Sequence, residues 1–171
     1  NYTNYSTNTN NIVNMKQKTT FSITTKNKKL AMKWIRTPKI IWDDLSKEFN
    51  FTVDACASDK NHLVSKYWTK ENSALDNNWD GEVVYCHPMY DINIPKFIKK
   101  AVNSKCLSVF LLPSSTNAMY FHDYLYKKSN VDIRFLPRTK SNQGFKMFSD
   151  ENEEPKFGYI RPLMIVVIDN R

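Results

Sequence analysis

The sequence predicts an α/β domain built on a mostly parallel β-sheet that is flanked by helices. Segments with strand and helix patterns alternate between residues 39 and 136, and residues 107–112 form a continuous apolar run. A strand that is apolar on both faces is typical of a parallel sheet covered by helices on each side. The chain has 171 residues, a length that suits one domain.

The individual elements follow from apolar periodicity and from turn residues. Apolar residues recur every four positions from Ile41 to Phe49, which predicts a helix over residues 39–49 with Asp43 and Asp44 in its first turn. In chain order, the remaining predicted elements are a strand running into a loop at 51–56, a short apolar strand at 82–86, a helix at 94–102, a buried strand at 107–112, a helix at 117–127, and strands at 131–136 and 163–168.

The composition divides the chain into a tail and a domain. Residues 1–30 are polar, of low complexity and rich in Asn and Thr, so we predict a flexible basic tail there and the folded domain at 31–171. No segment has the apolar core of a signal peptide, and no apolar run approaches the ~20 residues of a membrane span. We therefore expect a cytoplasmic protein with no membrane segment.

The positive charge indicates a polyanionic partner. The formal net charge is +8, and residues 1–42 contain eight basic residues and no acidic residue. Residues 92–149 are also strongly basic, so nucleic acid is the leading candidate, with solubilising surface charge as the alternative. The three cysteines are widely spaced and form no CxxC pair. We therefore expect neither a disulfide framework nor a metal site.

The segment that carries the chemistry is Tyr85-Cys86-His87-Pro88-Met89-Tyr90. It follows a short apolar strand and precedes a helix, which places it at the carboxyl end of a strand. Open α/β sheets bind their ligands at that edge. The sequence therefore predicts the functional site around this segment.

The chain resembles the phage-type, Dam-like DNA N6-adenine methyltransferases. The resemblance covers most of the domain, from about Trp34 to Val167, and rests on landmarks that occur in the family's order. These landmarks are Trp34-Ile-Arg-Thr-Pro38, Phe51-Thr-Val-Asp-Ala-Cys-Ala57, Tyr67-Trp-Thr-Lys-Glu71, Leu75 with Trp79, His87-Pro-Met-Tyr90, Leu111-Leu-Pro113, Tyr120-Phe-His-Asp123 and Ile133-Arg-Phe-Leu136.

The resemblance implies a Rossmann-like methyltransferase fold, S-adenosylmethionine as the methyl donor and an extruded adenine in DNA as the acceptor. In the family, the tetrapeptide is Asn-Pro-Pro-Tyr or Asp-Pro-Pro-Tyr, whose first side-chain oxygen and a backbone carbonyl accept the N6 hydrogens. This chain has His87-Pro88-Met89-Tyr90 instead. By resemblance, His87, Pro88 and Tyr90 are the candidate catalytic residues, with Tyr90 as the face on which the base stacks.

Three interpretations of His87 remain open from the sequence. The imidazole is a functional hydrogen-bond acceptor or base, for adenine or for an altered target. Alternatively, His87 marks a degenerate active site in a protein that still binds DNA or the cofactor. In the third interpretation, it is an ordinary loop histidine that the alignment misplaces.

The resemblance also implies a set of cofactor-binding residues near the first helix and the first strand. Asp54 matches the acid of the family's nucleoside-binding motif, and the alternative is a turn-forming aspartate. Thr37-Pro38 matches the segment that lies against the methionine end of the donor, and the alternative is an ordinary helix start. The complete candidate set is Trp34, Thr37, Pro38, Asp54, Ala55 and Cys56.

DNA contacts are predicted in the polar stretch that follows the 131–136 strand. Arginine suits guanine and phosphate, and asparagine suits adenine edges. A solvated charged loop is the alternative interpretation. The candidates are Arg134, Arg138, Lys140, Asn142 and Lys146.

Three functional hypotheses follow. The first is an enzyme that methylates a flipped-out base in DNA, with adenine N6 as the leading target. The second is a catalytically weak or inactive relative that acts as a DNA-binding or assembly subunit. The third is an unrelated nucleotide-binding α/β protein. The sequence predicts no oligomeric state.

Overall fold

The computed structural model describes residues 35–137, 145–149, 155–159 and 161–171. Two α-helices, one π-helical segment and seven strands are present in this part of the chain. In order they are α1 (Lys39–Glu48), β1 (Val53–Asp54), β2 (Val83–Cys86), α2 (Ile94–Val102), β3 (Leu107–Pro113), the π-helical segment (Phe121–Leu125), β4 (Val131–Phe135), β5 (Phe145–Ser149), β6 (Pro155–Tyr159) and β7 (Leu163–Asp169).

The prediction of a mostly parallel sheet is wrong, because the five-stranded sheet is mixed. Its strand order is β1-β2-β3-β7-β4. The β1–β2 and β2–β3 pairs are parallel, whereas β7 runs antiparallel to both of its neighbours, β3 and β4. The apolar run of β7 predicts a buried strand but carries no information on its direction. An antiparallel strand beside β4 needs no crossover helix to reach its place.

The sheet is buried on both faces, as the apolar β3 run predicts. Alternate residues of β7 show this, because Leu163, Ile165 and Val167 pack on the side of α1. Met164, Val166 and Ile168 pack on the opposite side, with α2 and the π-helical segment. The domain is therefore a sheet between two helical layers, and the loops at the carboxyl ends of β1, β2 and β3 form one edge.

The helix α1 confirms the predicted element but corrects its first turn. It begins at Lys39, so its first turn contains no acidic residue. Asp43 and Asp44 lie one turn further along, where Lys39 Nζ contacts Asp43 at 2.7 Å and Lys47 contacts Asp44 at 3.8 Å. These exposed pairs add little stability, at most ~0.5 kcal/mol each.

Two other elements are shorter than the sequence predicts. The strand at 51–56 is reduced to Val53–Asp54. The helix predicted at 117–127 contains the π-helical segment Phe121–Leu125. By contrast, α2 spans residues 94–102 as predicted, with Pro95 in its first turn, where its missing N–H costs nothing.

The strands β5 and β6 were not predicted. They pair antiparallel in a separate two-stranded sheet, with irregular register at Lys146 and Phe148. The last of the predicted DNA-binding residues, Lys146, therefore lies in a strand, β5, rather than in a polar loop. The predicted tail at 1–30 lies outside the described residues. Among the helices described, none is both long and apolar enough to cross a membrane.

Candidate active site

A pocket lies at the carboxyl ends of β1 and β2, where the sequence predicts the site. It brings together Thr37, from the turn before α1, with Asp54 at the end of β1 and His87 just after β2. These three residues are far apart in the sequence. The pocket is lined by Ile35, Thr37, Asp54, Cys56, Asn61, Leu63, Tyr85 and His87.

Asp54 is a buried carboxylate that organises the loop after β1. Its side chain is only 3% exposed. One oxygen accepts a hydrogen bond from the amide of Cys56 at 3.3 Å, and the other accepts from the amide of Leu63 at 3.1 Å. Burial nevertheless outweighs these bonds and raises the pKa of Asp54 to about 6. Within the described part of the chain, no lysine or arginine forms an ion pair with this carboxylate.

His87 is buried and bonded at both ring nitrogens. Its side chain is 4% exposed. Nδ1 lies 3.0 Å from the Thr37 hydroxyl, which is itself 2.7 Å from the Tyr85 hydroxyl. Nε2 lies 3.0 Å from the hydroxyl of Tyr90. Burial lowers the pKa of His87 to about 3, so the imidazole is neutral at physiological pH.

Two tautomers of this neutral imidazole satisfy its hydrogen bonds. Burial raises the pKa of Tyr85 and of Tyr90 well above 10, so both phenol hydroxyls keep their protons. In one tautomer, the Thr37 hydroxyl donates to Nδ1, and the Nε2–H donates to the oxygen of Tyr90. In the other, the Nδ1–H donates to the oxygen of Thr37, and the Tyr90 hydroxyl donates to Nε2. In both, one ring nitrogen donates and the other accepts.

Both nitrogens of His87 are thus used inside the protein. A side chain that accepts a hydrogen from adenine N6 needs a free lone pair, which a neutral imidazole has on one nitrogen only. In either tautomer, that lone pair faces a hydroxyl of the protein, that of Thr37 or that of Tyr90. The arrangement makes His87 a link that fixes Thr37, Tyr85 and Tyr90 relative to one another.

Tyr90 closes the tetrapeptide at the edge of the pocket. Its ring is half-buried and packs edge to face against Tyr159 of β6, with ring centroids 5.1 Å apart. Pro88, between the two bonded residues, is buried. The loop from His87 to Tyr90 is therefore held at both ends, by the Nε2 bond and by the contact with β6.

The other predicted cofactor residues lie around the same pocket or outside the described chain. Cys56 lines the pocket, Ala55 is buried beneath it, and Pro38 immediately precedes α1. Trp34 lies outside the described residues. Four further pocket residues were given no role of their own from the sequence, although one of them, Tyr85, begins the segment predicted to carry the chemistry. They are Ile35, Asn61, Leu63 and Tyr85.

One of these omissions had a signal in the sequence. Tyr85 places a hydroxyl in an otherwise apolar strand, and a buried hydroxyl requires a polar partner. Asn61 had no comparable signal, because its amide reaches the pocket only through the fold of the loop, where it donates to the carbonyl of Ile35 at 3.1 Å.

The predicted DNA-binding residues are not brought into the pocket by the described structure. Arg134 lies on β4, where Nη1 contacts Glu48 at 2.6 Å and Nε contacts Asp132 at 2.6 Å. These carboxylates raise the pKa of Arg134 above its usual range and neutralise its charge locally. Lys146 lies in β5, with its side chain outside the described part. The other candidates, Arg138, Lys140 and Asn142, also lie outside it.

No cluster of three or more potential metal ligands occurs among the described residues. The three cysteines are free thiols. The polar groups that line the pocket are a carboxylate, hydroxyls, an amide and a neutral imidazole. This set suits a polar organic ligand with hydrogen-bond donors and positive charge.

We expect Asp54→Asn to change the pH dependence of stability. The raised pKa means that the folded chain binds this proton more tightly than the unfolded chain, so Asp54 lowers the free energy of unfolding as pH rises from about 4 to 6. The lowered pKa of His87 acts in the opposite direction between about pH 3 and 6.5. Between pH 4 and pH 7, the free energy of unfolding of the variant should rise by about 3 kcal/mol relative to that of the wild type. Urea unfolding at a series of pH values measures this difference. Parallel curves would show that Asp54 is not desolvated.

The comparisons with known proteins show the family of the chain. Among curated proteins, no significant match to the chain was found. The model of one family, described as DNA N-6-adenine-methyltransferase (Dam), matches residues 22–169, which include α1, the complete five-stranded sheet and every residue of the pocket. A match over this much of the sequence shows that the chain belongs to the Dam family of DNA N-6-adenine-methyltransferases.

Proposed function

We propose that the protein is a DNA methyltransferase that transfers a methyl group from S-adenosylmethionine to a flipped-out base, with adenine N6 as the target. The observation that carries this proposal is the pocket in which Thr37, Asp54 and His87 meet at the carboxyl ends of neighbouring strands. Family membership supports methyl transfer to DNA. A DNA substrate implies action inside a cell.

The fold is compatible with this activity. The strand order is β1-β2-β3-β7-β4, and β7 lies between two strands that run in the opposite direction. The parallel strands β1, β2 and β3 therefore end together at one edge of the sheet. We interpret it as a small Rossmann-like methyltransferase sheet. Ligands of such sheets bind outside the carboxyl ends of the strands, which is where the pocket lies.

The residues of the pocket fit S-adenosylmethionine in charge and in hydrogen bonding. Asp54 is a buried carboxylate that forms no ion pair with a described lysine or arginine, and burial raises its pKa to about 6. Thr37 and Asn61 offer a hydroxyl and an amide beside it. The cofactor would supply a methyl group on a positively charged sulfur. We propose that Thr37, Pro38, Asp54, Ala55 and Cys56 bind it, together with Trp34.

On the acceptor side, the chain supplies a stacking face and backbone carbonyls. Tyr90 is half-buried and held by His87 and Tyr159, so its ring is ordered before a base arrives. Stacking on an aromatic ring offsets ~1–3 kcal/mol of the cost of extruding a base. The carbonyl of Pro88 is the proposed acceptor for one N6 hydrogen. Acceptors of this kind stabilise the positive charge that develops on N6 in the transition state.

The state of His87 favours a second candidate function, a weak or inactive methyltransferase that serves as a DNA-binding or assembly subunit. Both ring nitrogens are bonded within the protein, and the ring is neutral. The side-chain acceptor found in the family is then missing unless the ring turns when substrate binds. Loss of one such acceptor costs ~10²–10³ in rate at comparable sites.

Transfer of labelled methyl groups from S-adenosylmethionine to DNA, followed by nucleoside analysis, tests the proposal. The expected result is N6-methyl-2′-deoxyadenosine in the digest, formed at a rate above that of a boiled control. Binding of the cofactor and DNA without turnover would instead support the second candidate function, an inactive DNA-binding or assembly subunit. Absence of cofactor binding would contradict the enzyme and would favour the inactive subunit.

We expect Asp54→Asn to weaken binding of S-adenosylmethionine or its demethylated product at least tenfold, about 1.4 kcal/mol. The variant removes the charge but keeps one acceptor oxygen for the amide of Leu63. Wild-type affinity should also fall as pH drops below about 6, because the carboxyl then binds a proton. Calorimetry at pH 7.5 and 5.5 measures both effects, and exposed Asp59→Asn is the matched control. Equal affinity of Asp54→Asn and wild type would remove Asp54 from the binding site.

We expect DNA binding to depend on the basic tail. Deleting residues 1–30 removes five lysines, and each neutralised phosphate contributes ~0.9 to the slope of log affinity against log salt. Affinity at about 0.1 M salt should fall at least tenfold, and the slope should become shallower by up to ~4. Fluorescence anisotropy over a salt series measures both quantities. Unchanged affinity and slope would show that the tail does not contact DNA.

A further inference from the structure

Two thiols from neighbouring strands meet beside the pocket. Cys56 lies in the loop just after β1, is half-buried and lines the pocket. Cys86 is the last residue of β2 and is fully buried. Their sulfurs are 3.5 Å apart. We propose that Cys56 and Cys86 form an oxidation site, a dithiol that peroxide converts to a disulfide and that thereby lowers ligand binding in the pocket.

The backbone geometry suits such a bond. β1 and β2 are hydrogen-bonded parallel neighbours, and the amide of Ala55 donates to the carbonyl of Tyr85 at 2.8 Å, so the chain segments remain adjacent up to the two cysteines. A disulfide has an S–S length of about 2.05 Å. The sulfurs therefore need to approach by about 1.5 Å, a distance that side-chain rotation and a small loop shift cover.

The two thiols differ in access, which sets the order of the reaction. Peroxide reaches Cys56 first, because Cys86 is fully buried. The Cys56 sulfur takes one peroxide oxygen, which gives a sulfenic acid and one water molecule. The Cys86 sulfur then attacks the Cys56 sulfur, an S–S bond forms, and the S–O bond breaks with release of a second water. Two thiols lose two electrons and two protons, and one peroxide is reduced to two waters.

Burial also explains why the pair stays reduced without an oxidant. It raises the pKa of the Cys86 thiol well above 9, so this residue is not a reactive thiolate by itself. The close approach of the sulfurs, rather than the acidity of Cys86, drives the second step. Disulfides in reducing compartments are mostly transient and redox-sensing, which fits a reversible bond at this place.

The bond would act on the pocket through both of its ends. The amide of Cys56 donates to the Asp54 carboxylate at 3.3 Å, and Cys86 directly precedes His87. Drawing the two sulfurs together therefore shifts the loop that holds Asp54 and the start of the tetrapeptide. This consequence rests on the proposed function, because the affected ligand is the proposed cofactor.

Peptide mapping of the full chain tests the chemistry without any ligand. Trypsin separates the three cysteines into peptides 48–60, 71–96 and 106–127. After treatment with hydrogen peroxide and alkylation under denaturing conditions, we expect peptides 48–60 and 71–96 to appear as one disulfide-linked species, which dithiothreitol releases. Cys106 is the internal control, because it is as buried as Cys86. It should be alkylated to the same extent with and without peroxide. Independent oxidation of Cys56, or a link to Cys106 or to another chain, would overturn the proposal.

Two variants and a binding measurement complete the test. Cys106→Ser should leave the linked species unchanged, and Cys86→Ser should leave a sulfenic acid at Cys56 that a dimedone probe captures. Oxidation should weaken binding of S-adenosylhomocysteine at least tenfold, and reduction should restore it. A disulfide that forms without this change would overturn the effect on the pocket. A reduced protein that binds no ligand would contradict the proposed function and would leave the mapping result intact.

Discussion

The double variant His87→Asn with Met89→Pro is expected to methylate adenine N6 in DNA at least ~10²-fold faster than the wild type. Asparagine brings a side-chain oxygen to a position where both imidazole nitrogens are now bonded within the protein. Proline at 89 restores the rigid backbone of the family tetrapeptide. Pro88 and Tyr90 are already present.

The structure of the loop accommodates both changes. The amide of Met89 donates no hydrogen bond to any described residue, so a proline there removes none. Replacing His87 does have a cost, because the hydroxyls of Thr37 and Tyr90 lose their partner. A lost buried partner destabilises by ~1–3 kcal/mol, and thermal unfolding of each variant controls for this loss.

The measurement is N6-methyl-2′-deoxyadenosine formed per enzyme under single-turnover conditions, for the wild type, both single variants and the double variant. If His87 instead serves a different acceptor, the double variant loses the native activity. Equal rates of adenine methylation by the wild type and by His87→Ala would contradict both hypotheses, that of a degraded adenine site and that of a site in which His87 serves a different acceptor. In every case the wild-type rate should show no histidine titration between pH 5.5 and 8, because the pKa of His87 is about 3.

The sequence predicts the elements better than their arrangement. Local patterns place α2 at 94–102 and locate β3 and β7 within a residue or two, because burial on both faces leaves a long apolar run. The direction of β7 depends on a connection of more than twenty residues after β4, and no local pattern specifies it. The β5–β6 pair was missed for a related reason, since polar residues and a glycine interrupt its strands and favour a loop assignment.

For the site, the sequence identified the chemistry-bearing residues but not their connections. Thr37, Asp54 and His87 were selected separately, and the structure brings all three to one pocket. The bonds from Thr37 to Tyr85 and to His87 join residues 48 and 50 positions apart in the chain, so only the packing of α1 on β2 reveals them. The neutral state of His87 likewise follows from burial, which the tetrapeptide alone does not specify.

Tyr90 allows the stacking role to be separated from the hydrogen bond, because one residue contributes both. Its ring is the proposed face for the extruded base, and its hydroxyl is hydrogen-bonded to Nε2 of His87 at 3.0 Å. Tyr90→Ala removes both functions, whereas Tyr90→Phe keeps the ring and its contact with Tyr159. The two variants therefore form a matched pair.

We expect Tyr90→Ala to lower kcat/KM for DNA by ~10–100-fold, since stacking contributes ~1–3 kcal/mol per base. Tyr90→Phe should stay within ~3-fold of its parent in kcat/KM but unfold more easily, by ~1–3 kcal/mol, because the buried Nε2 of His87 loses its hydrogen-bond partner. Both variants are measured in the wild type and in the His87→Asn/Met89→Pro protein, where no imidazole remains to be satisfied. In that second background, the difference in stability between the Tyr90→Phe variant and its parent should shrink. The decrease of kcat/KM that Tyr90→Ala causes should persist. Equal losses of kcat/KM for the two variants in both backgrounds would assign the role of Tyr90 to its hydroxyl and exclude the stacking face.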